Sequence, residues 1–74
     1  MSRFHLTFPQ HLIDEPLMYR LGREFDVVTN IRRANVEDTA AWVIVELTGS
    51  EDEIARAVAW LADRGVEVER IPEE

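Results

Sequence analysis

An α+β fold with the element order β-α-β-β-α-β is predicted by three observations. Phe4, Leu6 and Phe8, and again Ala41, Val43, Val45 and Leu47, alternate as the buried side of a strand does. Ile13, Leu17, Leu21 and Phe25 recur every fourth residue, and Ile54, Ala57, Val58 and Leu61 share one helical face. Two helices interleaved with four strands in this order favour a split β-α-β arrangement: an antiparallel four-stranded sheet of spatial order 4-1-3-2 with both helices on one face. At 74 residues the chain holds one domain, 1–74.

The first strand is expected from Arg3 to Phe8, with Phe4, Leu6 and Phe8 inward and Arg3, His5 and Thr7 on the opposite side. Pro9 ends it by removing a ladder donor. The first helix is expected from Ile13 to Phe25, with Asp14 and Glu15 suiting its positive end and Pro16 tolerable within the first turn. Strand two, Val27 to Val36, carries apolar groups at odd positions (Val27, Ile31) and even ones (Val28, Val36), so alternation does not select its buried face.

Glu37, Asp38 and Thr39 break the pattern before strand three, Ala40 to Leu47; without a glycine there, a hairpin loop longer than two residues, or a bulge, is expected. Ser50 and Glu53 form an S-x-x-E capping box opening a helix that runs to Arg64, where Gly65 is placed to close it in the left-handed conformation. Strand four, Val66 to Ile71, turns Val66 and Val68 inward, and residues 72–74 form a frayed tail.

The absence of cysteine excludes disulfides, thiolate metal sites and cysteine nucleophiles. A formal charge of -7 repels nucleic acid and anionic membrane surfaces, and Arg32-Arg33 is the one contiguous basic pair. The N-terminus lacks the apolar run of a signal peptide and no stretch is long enough to cross a bilayer, so a soluble, cytoplasmic protein without membrane insertion is expected. A core this small is marginal alone, which makes a homodimer the natural expectation.

No set of side chains along the chain resembles a catalytic constellation, so no enzyme and no catalytic residue is expected. His11, Asp14 and Glu15 match no established metal spacing, and neither a metal nor a cofactor is expected. Strict alternation on strand three sends Trp42, Ile44 and Glu46 to the sheet face that no helix covers. There Trp42 and Ile44 beside His5 make candidate interface residues. Trp60 lies about 120° from the centre of its helix's apolar stripe, on the side of Arg56 and Arg64, where long arginine stems would cover the indole. Asn30 is a polar amide in an apolar strand; it either faces water at a sheet edge or offers donor and acceptor to a ligand. Strand two is the expected edge, so its backbone groups are available to a second copy.

Taken in order, Glu15-Pro16-Leu17, Glu24-Phe25-Asp26-Val27, Asn30-Ile31, Ala34-Asn35-Val36-Glu37, Val43-x-Val45-x-Leu47-x-Gly49, Ala59-Trp60-Leu61 and Gly65-Val66-Glu67-Val68-Glu69 cover nearly the whole chain. This series resembles the NIL domain family, best known as the C-terminal regulatory domain on the ATPase subunit of bacterial methionine ABC importers. The resemblance implies a ferredoxin-like fold, a homodimer with an amino acid such as L-methionine bound at or near its interface, and a site containing Asn30. Its strand neighbours Ile31 and Arg32 are the further candidate ligand-binding residues, Arg32 either contacting a ligand carboxylate or changing specificity. It departs from the family at Arg32, where the namesake motif has leucine, and at Ala34, where glycine is common. With no ATPase segment in these 74 residues, it implies action in trans on a transporter ATPase or a sulfur-assimilation protein. The competing expectation is a protein-interaction module, docking through the uncovered sheet face or edge strand, with no physiological small ligand.

Overall fold

A computed structural model describes residues 2–72. The four strands are β1 (Ser2–Pro9), β2 (Val28–Val36), β3 (Ala40–Thr48) and β4 (Glu67–Ile71), and the helices are α1 (Leu17–Glu24) and α2 (Glu51–Asp63). All pairings are antiparallel in the spatial order β2-β3-β1-β4, the expected order read from the other edge. The inward residues of β1 and β3, Phe4, Leu6, Phe8, Ala41, Val45 and Leu47, pack with Leu17 and Leu21 of α1 and Ile54, Ala57 and Leu61 of α2. Both helices therefore cover one face, and the other face carries the second set of alternating side chains.

The first helix starts later than its apolar period suggests. Gln10–Leu12 form a single 3₁₀ turn that buries Leu12, a bend follows, and α1 begins only after Pro16. Proline disfavours helical geometry in the residue before it and donates no backbone hydrogen bond, so Ile13 to Glu15 cannot simply continue into the helix. At the other end the helix stops at Glu24, with Phe25 extended. In the fourth strand Val66 is buried but lies just before β4, which starts at Glu67, and Val68 packs against the core. Of the tail expected at 72–74, Pro72 is exposed and residues 73–74 lie outside the described residues.

Half of the expected capping box forms. The Ser50 hydroxyl accepts from the Glu53 amide at 3.1 Å, while the Glu53 carboxylate accepts from the Asp26 amide at 2.8 Å. Glu53 thus ties the start of α2 to the segment entering β2. The far end of α2 closes on Gly65, whose φ of 101° lies in the left-handed region.

Gly49 sits where the two segments meet most closely. A Cβ there would lie 2.8 Å from the Asp26 carbonyl oxygen and 3.2 Å from Val27 Cγ1. Gly49→Ala is expected to cost about 1–3 kcal/mol by forcing backbone apart. Gly22→Ala, on α1 with open space around it, should instead gain about 0.5–1 kcal/mol through helix propensity. Urea denaturation of the two variants checks this, and equal effects would refute it.

Candidate functional site

β2 pairs with β3 on one side and is the edge of the sheet on the other. Its ladder slips at Arg32: Ile31 faces Val45, Arg33 faces Ile44, and Arg32 is the extra residue of a β-bulge. A bulge shifts the alternation by one. Before it, Thr29 and Ile31 share the helix side with Leu47 and Val45; after it, Ala34 and Val36 share that side with Val43 and Ala41. This explains the apolar residues at both odd and even positions. The strand remains uncovered, with Val28, Ile31 and Val36 exposed at 68%, 52% and 68%.

On the helix-free side, the bulge and the pairing register build a charged cluster around Glu46, which is only 6% exposed. Asn30 and Arg3 are its cross-strand partners. Arg3 Nη2 donates to Glu46 Oε2 at 2.6 Å, and Arg32 Nη1 lies 3.8 Å from Oε1. The Arg3 hydrogen bond holds the Glu46 carboxyl below its ordinary range against the opposing effect of burial, with the charges of Arg3 and Arg32 and a hydrogen bond from Asn30 adding to it. Arg3, Arg32 and Arg33 with Ile44 and Ile71 line a shallow hollow beside the cluster.

The structure therefore brings Asn30 and Arg32 together through Glu46, and separates Ile31 from them on the opposite side of the strand. Within this cluster Glu46 and the Asn30 carbonyl are acceptors, and Arg32 and the Asn30 amide are donors. Arg3 and Glu46 escape a motif-based reading. Their signal is the one acidic residue inside the apolar run Ala40 to Leu47, which needs a cationic partner if buried.

The interface candidates lie beside this cluster. His5 stacks on Trp42 with ring centroids 5.5 Å apart and planes inclined by 22°, and Ile44 is the cross-strand partner of His5. All three are half-buried on the face without helices. Among the described residues, no three His, Asp or Glu side chains converge as metal ligands would, and no helix is long and apolar enough to cross a membrane.

Trp60 is covered by one of the two arginines expected beside it, Arg64, and by Arg20 of α1, while Arg56 lies over Phe25 instead, 5.7 Å from its ring centroid. Arg64 lies 3.9 Å and Arg20 5.3 Å from the Trp60 ring centroid, and Phe25 meets that ring edge-on at 6.0 Å. A second, apolar hollow lies on the helix side, lined by Phe8, Leu12, Met18, Val36, Ala41 and Val43 among others. It adjoins the Val36 end of β2, whereas Asn30 lies six residues, roughly 20 Å, along the strand.

Comparison with known proteins gives a consistent set. The family model described as the NIL domain matches residues 2–70. The methionine import ATP-binding protein MetN 1 of Listeria innocua is 34% identical over 62 residues, 78% of this chain and 18% of that protein. The methionine import ATP-binding protein MetN of Coxiella burnetii is 28% identical over 68 residues, 86% of this chain and 19% of that one. The chain thus spans less than a fifth of the length of these relatives. The crystal structure of the C-terminal domain of an ABC transporter ATP-binding protein from Enterococcus faecalis superposes with a TM-score of 0.83 at 25% identity, covering 99% of this chain and 86% of that one.

Proposed function

The chain belongs to the NIL domain family, and from that membership we propose that it is a non-catalytic regulatory domain binding an amino acid such as L-methionine at or near a homodimer interface. The observation that supports the reading is the position of Asn30 on the edge strand, directly across from the buried Glu46 carboxylate that Arg32 also approaches. This places groups complementary to both charged ends of an amino acid at the edge where a second copy can add. Antiparallel pairing of β2 with its symmetry mate sets the Asn30 end of one copy beside the Val36 end of the other. The pairing also covers the exposed Val28, Ile31 and Val36.

Regulation follows from differential affinity. A ligand held between two copies favours the arrangement that completes its site, and shifts a coupled partner by the same free energy. The names of the relatives support a transporter ATPase as that partner, met in trans; a sulfur-assimilation protein is the other candidate.

Isothermal titration with L-methionine, and D-methionine as control, tests the reading. Saturable heat from the L form alone is expected, and Asn30→Ala should abolish it while leaving the melting temperature within a few degrees of wild type, as suits an exposed side chain. Absence of heat from either enantiomer, with folded protein at high concentration, sinks the amino-acid reading.

A further inference from the structure

The helix-free face of the sheet carries an ordered charge pattern of which the ligand reading uses one corner, Asn30, Arg32 and Glu46. Pairing across the four strands sets out three rows on this face: Asn30, Glu46, Arg3 and Ile71; then Arg33, Ile44, His5 and Glu69; then Asn35, Trp42, Thr7 and Glu67. The β2 column is basic, since Arg32 joins Arg33 there and reaches Glu46 on the same face. The β4 column is acidic, with Glu67 and Glu69 exposed. Between them lie the half-buried Ile44, Trp42 and His5.

We propose that this face is a self-complementary interface whose occupant is the same face of a second copy. A two-fold axis lying in the interface and parallel to the strands exchanges the β2 and β4 columns. It places Arg33 of each copy over Glu69 of the other, and Asn35 over Glu67, while Trp42 and Ile44 pack across the axis against His5 and Thr7. An axis perpendicular to the strands would instead set arginine column on arginine column and glutamate on glutamate. The charges therefore choose the first arrangement, an aligned packing of two sheets about 10 Å apart. The helices of both copies lie outermost and do not obstruct it. This contact does not involve the β2 edge and closes as a dimer by itself; its first row takes in Asn30, Glu46 and Arg3, so it shares the face that carries the proposed ligand groups.

Charge exchange tests the contact. Within one chain Arg33 and Glu69 stand three strands apart, roughly 14 Å, so repair between them has to come from two copies. Arg33→Glu and Glu69→Arg are each expected to halve the mass seen by analytical ultracentrifugation, with association weakened about tenfold or more. An equimolar mixture of the two variants restores it, because each mutant contact then joins opposite charges, and the double variant restores it alone. Circular dichroism melts verify that both single variants are folded. Wild-type association should also weaken as salt is raised. Wild-type mass in either folded single variant, a mixture that stays dissociated, or wild-type protein that is monomeric at high concentration overturns the proposal. A proline in β2 that halves the mass while both charge variants keep wild-type mass assigns the dimer to the edge and overturns the proposal.

Discussion

Leu61→Ala is expected to cost about 3–5 kcal/mol and to leave a large fraction of the chain unfolded at 37 °C. Leu61 is fully buried, 0% exposed, at the centre of α2's apolar stripe. The core it belongs to draws on both layers of the fold, with Leu6, Val45 and Leu47 on the sheet and Leu21 on α1. Removing three carbons there forfeits their transfer free energy and leaves a void that rigid strands cannot collapse to fill. A domain of this size has roughly 5 kcal/mol in total, so one truncation consumes most of it. Val28→Ala serves as control, because Val28 is apolar but 68% exposed, and should stay within about 0.5 kcal/mol of wild type. Urea unfolding in dilute protein measures both. A Leu61→Ala midpoint close to that of Val28→Ala would mean that the helix layer contributes little to the core. If self-association stabilises the fold, the wild-type midpoint rises with protein concentration.

What was legible in the sequence depended on whether a residue's role is local. The strict alternation of β3 identified both its faces, and Ser50 marked the start of α2, because in each case the pattern follows from backbone geometry over a few residues. The expected first helix exceeds the observed one because Ile13 continues the period of Leu17 and Leu21 even though Pro16 prevents one continuous helix. Strand two resisted assignment for a different reason. The bulge at Arg32 inverts its alternation halfway, so Ile31 and Val36 share one side of the sheet despite opposite parity. Glu53 was half right: its amide is capped, but its carboxylate serves the Asp26 amide across the fold.

The same distinction runs through the site. Asn30, which the motif singles out, and Arg32, where the chain departs from the motif, both lie by the Glu46 carboxylate, whereas Ile31, their neighbour in sequence, is on the other side. Arg3 is 43 positions from Glu46 in sequence and joins it only because β1 pairs with β3. No local pattern announces such a pair. The departure of the chain at Arg32 gains a physical meaning in the fold: the bulge position carries a guanidinium toward Glu46 where the family motif has an apolar side chain.

Glu46→Gln is expected to lower stability near neutral pH, with the difference from wild type shrinking in acid. Glutamine keeps the shape and one acceptor for Arg3 but removes the charge that Arg3 and Arg32 surround. The Glu46 carboxyl is held below its ordinary value of 4.5, chiefly by the Arg3 hydrogen bond, so the native state binds its proton less readily than the unfolded chain does. The stabilisation is therefore complete above the unfolded value and is lost as pH falls through the lower folded one. Melting curves of both proteins from neutral pH to below 4 should accordingly converge, and a constant gap across that range would mean that packing, not charge, makes the difference. The substitution also separates architecture from binding. At neutral pH, Glu46→Gln removes the negative charge proposed to face a ligand's ammonium while Asn30 and Arg32 stay in place, so methionine affinity should fall even under conditions where the variant remains fully folded. Unchanged affinity in the folded variant would move the ammonium contact away from Glu46 and leave this carboxylate with a structural role, anchoring β1 and the β2 bulge to the central strand.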